Sequence, residues 1–299
     1  MRIATSTNII SSHHNQKRIP MVEFIGDLAE AGFTVLDLNF CEMMNPNSIL
    51  RSDRYLDYFE KLKVLKEEHE LIYNQAHAPY THNLFEIPKE EQEKLRKQIN
   101  RSIEMAGLLK IPYIVLHGAT DSTDWENSLE ANIKWLRPFV ELAQEVGVSI
   151  ALENLAYDKN RRIEFTASVD NLVALIEAFD CPNVVACYDF GHANMISRNH
   201  KEDILKLGSH LKTLHVADNH GAADEHLLPF HGNVDWHECL KALASNDYKG
   251  DFTYEIMFFS ENIPKEVQPQ FLSYAYAVAS YLVNKFNWFL EEHKTHTDS

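Results

Sequence analysis

The sequence predicts an α/β fold, a closed (β/α)8 barrel forming one domain. Three observations predict it. Eight short segments, rich in β-branched and other apolar residues, alternate with eight helix-like segments along almost all of the 299 residues. The short segments are nearly continuous in apolar character, as parallel strands covered on both faces should be. No Pro-, Gly- or Ser-rich linker interrupts the alternation, so a second domain has no natural boundary.

Each element has a local reason. Arg2–Asn8 reads as a strand, and Met21–Ala31 as an amphipathic helix stopped by Gly32. Thr34–Phe40 (TVLDLNF) is the second strand, followed by a charged helix over Asp53–Glu70. Leu71–Ala78 leads to a helix over Lys89–Leu109, and Tyr113–Gly118 (YIVLHG) to one over Trp125–Val146 closed by Gly147. Ser149–Leu155 (SIALENL) precedes a helix over Ser168–Phe179, and Val184–Phe190 (VVACYDF) a short one over Lys201–Leu207. Leu211–Asp218 precedes Trp236–Ser245, and Asp251–Ile256 precedes a long final helix over Lys265–Glu291. The barrel is expected to occupy residues 1–292, with 293–299 as a frayed tail.

Composition narrows the function. Hydrophobic residues make up 45% and charged residues 24%, an ordinary globular balance. No stretch approaches the roughly 18 apolar residues of a membrane span. The start, MRIATSTNII, lacks the basic segment and long apolar run of a secretion signal, so a cytoplasmic protein is expected. Cys41, Cys181, Cys187 and Cys239 are scattered, with no CxxC pair, and are expected as reduced thiols. A net charge of −16 works against a polyanionic partner. HExxH, P-loop and Gly-rich dinucleotide motifs are all missing from the sequence.

In a parallel α/β barrel the active site lies at the C-terminal ends of the strands. Six consecutive strands end in a polar group: His77, His117, Glu153, Asp189 (with His192 three residues on), His215 (with Asp218 three residues on) and Glu255. Any one of them has a plain structural reading. Together they set carboxylates at one mouth, where they repel unless a cation lies between them. Imidazole with carboxylate suits a divalent ion such as Mn, Co or Zn. The stretch after the seventh strand, HVADNHGAADEHLLPFHGNVDW, adds His220, Asp224, Glu225, His226 and His231.

The motifs ALEN, YDFGH, HVADN…DEH…GNVDW and the final YEI resemble the xylose-isomerase-like TIM barrel superfamily. It includes sugar and sugar-phosphate isomerases and epimerases, dehydratases and endonuclease IV. The resemblance to its single-metal epimerases implies four ligands, Glu153, Asp189, His215 and Glu255. It also implies that both glutamates serve as acid and base and that His192 holds a substrate oxygen. The resemblance to endonuclease IV implies a wider set, His77, His117, Glu153, Asp189, His192, His215, Asp224, His226 and Glu255, around as many as three zinc ions. One metal is the expectation, with His77 and His117 then at the substrate beside Asp218. His231 and His220 are open between loop and substrate contact. Arg161 and Arg162, with Lys159, form either a solvated loop or a clamp for a phosphate or carboxylate.

Two departures from the family stand out. The relatives' Pro-Gly-x-Gly is Pro229-Phe230-His231-Gly232 here, and Gly221 sits where some keto-sugar epimerases carry an arginine. The resulting expectation is a metal-dependent isomerase or epimerase of a sugar, polyol or sugar phosphate. It would work by proton abstraction beside a carbonyl with a metal-stabilised enediolate, and a dehydratase or lyase could share this first step. The alternatives are an endonuclease IV-like phosphodiesterase acting on abasic DNA and a non-catalytic sugar-binding or partner subunit. The final helix carries Phe271, Tyr274, Tyr276, Tyr281, Phe286, Trp288 and Phe289, enough to cover the barrel and leave a homodimer patch.

Overall fold

The strands alternate between two environments, and this builds the barrel. The computed structural model describes residues 1–10, 19–121, 124–158, 160–257 and 263–297. The strands are β1 (Ile3–Ser6), β2 (Val35–Asn39), β3 (Ile72–His77), β4 (Tyr113–His117), β5 (Ser149–Glu153), β6 (Val184–Asp189), β7 (Leu211–His215) and β8 (Phe252–Tyr254). They form one parallel sheet in the order β7-β6-β5-β4-β3-β2-β1-β8. Val216 closes the ring, because its N–H donates to Thr253 O at 2.8 Å and its carbonyl accepts from Glu255 N at 3.0 Å. The expected single-domain (β/α)8 TIM barrel is what the chain forms.

The helices are α1 (Ile25–Glu30), α2 (Tyr55–Glu68), α3 (Lys89–Leu109), α4 (Ser128–Val146), α5 (Val169–Glu177), α6 (Phe190–Ile196), α7 (His200–Leu207), α8 (Trp236–Ser245) and α9 (Gln268–Thr297). Alternate strand residues such as Ile114, Leu116, Ile150, Leu152, Ala186 and Leu214 pack in the large core between sheet and helices. The residues between them face inward, where Val115, Ala151, Val185 and Cys187 form a separate small apolar cluster. On the other half of the barrel the inward residues are polar and buried: Asp37, Gln75, Thr213 and Thr253. Strand segments that read as evenly apolar thus hide a polar stripe inside the barrel.

Several expected boundaries shift. The strands are shorter than their apolar runs, because the ladder ends where side chains turn into the mouth. Helix α6 was not expected. It starts directly at β6 because Asp189 caps it, its Oδ1 accepting the His192 N–H. The expected first helix divides into a single tight turn over Met21–Glu23 and α1. The last helix runs to Thr297, so residues 293–297 extend it and do not form a separate tail. On α9, Phe271, Phe286 and Phe289 are buried while Tyr274, Tyr281 and Trp288 face outward. Among the described residues, no helix is long and apolar enough to cross a membrane.

Candidate metal centre and its cavity

A two-residue period places the site. Glu153, Asp189, His215 and Glu255 each lie two positions beyond an inward residue (Ala151, Cys187, Thr213 and Thr253), so all four point into the mouth. Each offers a ligand atom within 4.8 Å of the others, and all four are buried. His215 Nδ1 lies 3.1 Å from Glu153 Oε1, 3.3 Å from Glu255 Oε2 and 4.0 Å from Asp189 Oδ2. Asn8, at the end of β1, donates to Glu255 Oε1 at 3.2 Å.

The remaining histidines ring this cluster. His117 Nε2 is 2.9 Å from Glu153 Oε2 and 3.2 Å from His77 Nε2. His77 Nδ1 faces its neighbour's carbonyl, Ala78 O, at 2.8 Å and Cys41 Sγ at 3.4 Å. His192 Nδ1 meets the Asn154 carbonyl at 2.9 Å, which leaves Nε2 toward Asp224 at 3.5 Å. Asp224 also meets His226 Nε2 at 2.9 Å, and His226 Nδ1 meets the Glu255 carbonyl at 2.8 Å.

The electrostatics fit a cation. Burial opposes charge on His215, yet Cys187, Glu255 and Glu153 around it raise its pKa well above the ordinary value. Burial opposes charge on His226 too, but Asp224 lifts it to about 10. Burial, reinforced by the charges of Glu153 and Glu255, lifts Asp189 to about 6 against the pull of His192. For His117 burial wins over Glu153, and the pKa falls to about 4. The same carboxylate field that attracts protons to the imidazoles would attract a metal ion. Asp189 Oδ2 and Glu153 Oε2 are buried without an aligned hydrogen-bond donor, an arrangement suited to metal ligands. Three carboxylates and one imidazole therefore suit a divalent ion of the Mn, Co or Zn type.

The cluster opens on a cavity of about 330 Å³. Glu153, Glu255, His77, His117, His192, Asp224 and His226 all line it. Ile19, Met21, Phe24, Met44, Met195 and Met257 add apolar surface to its lining. Asn8, Cys41, Glu42, Tyr80 and Glu164 line it as well; Tyr80 stacks near His117 with ring centroids 4.1 Å apart. Neither Asn8, in the turn Thr7–Ile10 after β1, nor Glu164, in a loop, follows an apolar run, so the pattern that marked the other strand ends did not mark them. Glu164 accepts from Thr120 Oγ1 at 2.6 Å.

Three candidate substrate contacts, Asp218, His231 and Arg161, do not line the cavity. Asp218 is buried, and its two oxygens accept from the N–H groups of Asn219, Phe230 and Val234 and from Trp236 Nε1 at 2.9–3.0 Å. Its lone pairs are occupied by the loop, so it is a loop organiser. His231 is exposed beside Tyr274, with Nε2 3.4 Å from the hydroxyl. Arg161 stacks over Tyr157 at 4.9 Å and donates to Ala222 O at 2.9 Å, outside the cavity lining. Arg162 is paired with Asp158 and Glu86, which disperses the expected basic clamp, and Lys159 lies outside the described residues. His220 bonds to Glu225.

Imidazole and carboxylate donors converge at the C-terminal mouth of a (β/α)8 barrel, where they could hold a metal ion. The chain belongs to the xylose isomerase-like TIM barrel family, which it matches over residues 25–269. An uncharacterized protein of Methanocaldococcus jannaschii is 29% identical over 190 residues, covering 60% of this chain and 63% of that protein. Fructoselysine 3-epimerase of Escherichia coli O157:H7 is 24% identical over 131 residues, covering 44% of this chain and 46% of that enzyme. The matches thus span about half to two-thirds of these curated relatives' lengths. A solved D-tagatose 3-epimerase-like protein superposes with a TM-score of 0.72 at 24% identity, over 99% of this chain and 100% of that one, and shows the shared fold.

Proposed function

We propose that the chain is a divalent-metal-dependent isomerase or epimerase of a sugar or another polyhydroxy carbonyl compound. The observation that carries this reading is the convergence of Glu153, Asp189, His215 and Glu255 on one point at the floor of a sugar-sized cavity. The epimerase activity named for one of the relatives, fructoselysine 3-epimerase, agrees with it. The methionines in the cavity lining offer soft apolar surface to the C–H groups of a sugar.

When bound, the metal would act as a Lewis acid toward a substrate carbonyl and its neighbouring hydroxyl. Glu153 and Glu255 leave strands β5 and β8, three positions apart around the ring, and approach the cavity from different sides. One takes the proton beside the carbonyl, and the other returns a proton to the opposite face, which inverts the carbon. His192, held through Nδ1 by the Asn154 carbonyl, presents Nε2 to a substrate oxygen. Asn8 orients Glu255.

A second reading rests on one observation: His77, His117, His192, Asp224 and His226 line the cavity together with Glu153 and Glu255. They would serve as further ligands in a multi-zinc phosphodiesterase. Elemental analysis of protein purified without chelator or added metal decides between the two. About one equivalent of metal, with isomerisation or epimerisation in a sugar and polyol screen, supports the first reading. Two to three equivalents of zinc, with cleavage of abasic DNA, replaces it with the second. No metal bound, and none taken up on addition, defeats both.

A further inference from the structure

We infer that Asp37, one layer below the ligand cluster inside the barrel, is the positioning residue of His215, taking its Nε2–H so that Nδ1 is left for the metal. The inference rests on the proposed metal centre and adds to it a residue outside the ligand set.

His215 faces Glu153, Glu255 and Asp189 with Nδ1. A neutral imidazole carries one proton, so Nδ1 can offer its lone pair only if that proton sits on Nε2. Nε2 points away from the mouth, is fully buried and has no hydrogen-bond partner. The carboxylate oxygen beside it is Asp37 Oδ2, at 3.7 Å. That gap exceeds a hydrogen bond, and a shift of about half an ångström as the ring seats on a metal would close it.

Asp37 has its own need for such a partner. It is fully buried on β2 at an inward position two residues before Asn39. Its Oδ2 accepts from Gln75 Nε2 at 3.1 Å, and its Oδ1 has no partner. A buried carboxylate held by one amide is costly unless a positive group faces it. A metal-bound imidazole is such a group, and carboxylates behind ligating histidines fix the tautomer and raise ligand basicity. Gln75, the register partner of Asp37 on β3, donates to the same Oδ2 that faces His215, so Asp37 links Gln75 to the imidazole above it.

The test is calorimetric titration of Mn²⁺ into metal-stripped wild-type protein and the Asp37→Asn, Asp37→Ala and Gln75→Leu variants, with circular dichroism as the fold control. We expect about 10- to 100-fold weaker binding in Asp37→Asn, as for other partners behind ligating histidines, and at least as much in Asp37→Ala. Gln75→Leu should lose less. Wild-type protein that binds no Mn²⁺ overturns the metal centre itself. Wild-type protein that binds, with folded Asp37 variants binding within about threefold of it, overturns the role of Asp37 alone. Should the Asp37 variants fail to fold, nitrogen-15 NMR of zinc-loaded wild-type protein reads the tautomer directly, with the His215→Asn variant supplying the assignment. A slowly exchanging proton on His215 Nε2 is expected, and a proton on Nδ1 or a rapidly exchanging ring overturns the inference.

Discussion

Two regions of this molecule bury carboxylates beside histidines, and they do opposite things with them. At the barrel mouth, Glu153, Asp189 and Glu255 converge around His215, and oxygens of the first two lack aligned donors. In the loop between β7 and α8, Asp218 is equally buried, but four N–H groups saturate it. A buried carboxylate surrounded by backbone donors is finished as a structural element. One surrounded by other carboxylates and imidazoles still needs a cation. The state of satisfaction, more than residue type, separates chemistry from architecture here.

The contrast can be broken by exchanging the outcomes. The largest effect expected is on turnover: Glu153→Gln and Glu255→Gln should each lower kcat by about 10²–10⁴-fold with little change in folding. Full activity in both variants, once a substrate is in hand, would remove the glutamates from the chemistry. Asp218→Ala should do the reverse. It strands several buried donors and should cost roughly 4 kcal/mol of stability in urea unfolding. A loss under about 1 kcal/mol would mean that water readily replaces the carboxylate.

Imidazoles sharpen the same contrast. His200 lies beside the Tyr188 hydroxyl, and burial lowers its pKa to about 4 against the charges of Asp218 and Asp235. The unfolded chain protonates this histidine near pH 6.5 and the folded chain only near pH 4, so stability falls as pH drops through that window. The loss attributable to His200 is about 3 kcal/mol by pH 4. Chemical denaturation of wild-type and His200→Gln proteins from pH 7 to pH 4 measures it, and equal slopes in both would refute it.

Two smaller effects probe the loop itself. A Cβ at Gly232 would lie 2.3 Å from both Asn219 O and Asp218 Oδ1, so Gly232→Ala should destabilise by about 2 kcal/mol. The φ of Phe230, 74°, lies in the left-handed region. Phe230→Gly should therefore relieve strain and raise stability by about 1 kcal/mol in thermal unfolding. A drop would show that the edge contact of Phe230 with Tyr281, 6.0 Å between centroids, outweighs the strain.

Much of the site was legible because a barrel strand converts sequence position into direction. Polar residues ending apolar runs (His77, His117, Glu153, Asp189, His215 and Glu255) all reach the cavity or the ligand cluster. Legibility failed in the loops. Asp218 and His231 look like Asp224 and His226 in sequence, yet only the latter pair line the cavity. Nothing local in the chain says which lone pairs a folded loop will occupy. Asp37 was missed for another reason: inside the strand TVLDLNF a single acid reads as an interruption of an apolar run.

The sequence alone determined the alternation of strands and helices, the closed barrel and the ring of donors at its mouth. Those depend on periodicity, which is a property of the chain. Only the tertiary structure decided which donors converge within 4.8 Å, which carboxylate the loop consumes, and that Asp37 lies beneath His215. These depend on contacts between segments distant along the chain, and hydrogen bonding there is settled by what each buried polar atom meets once the barrel closes.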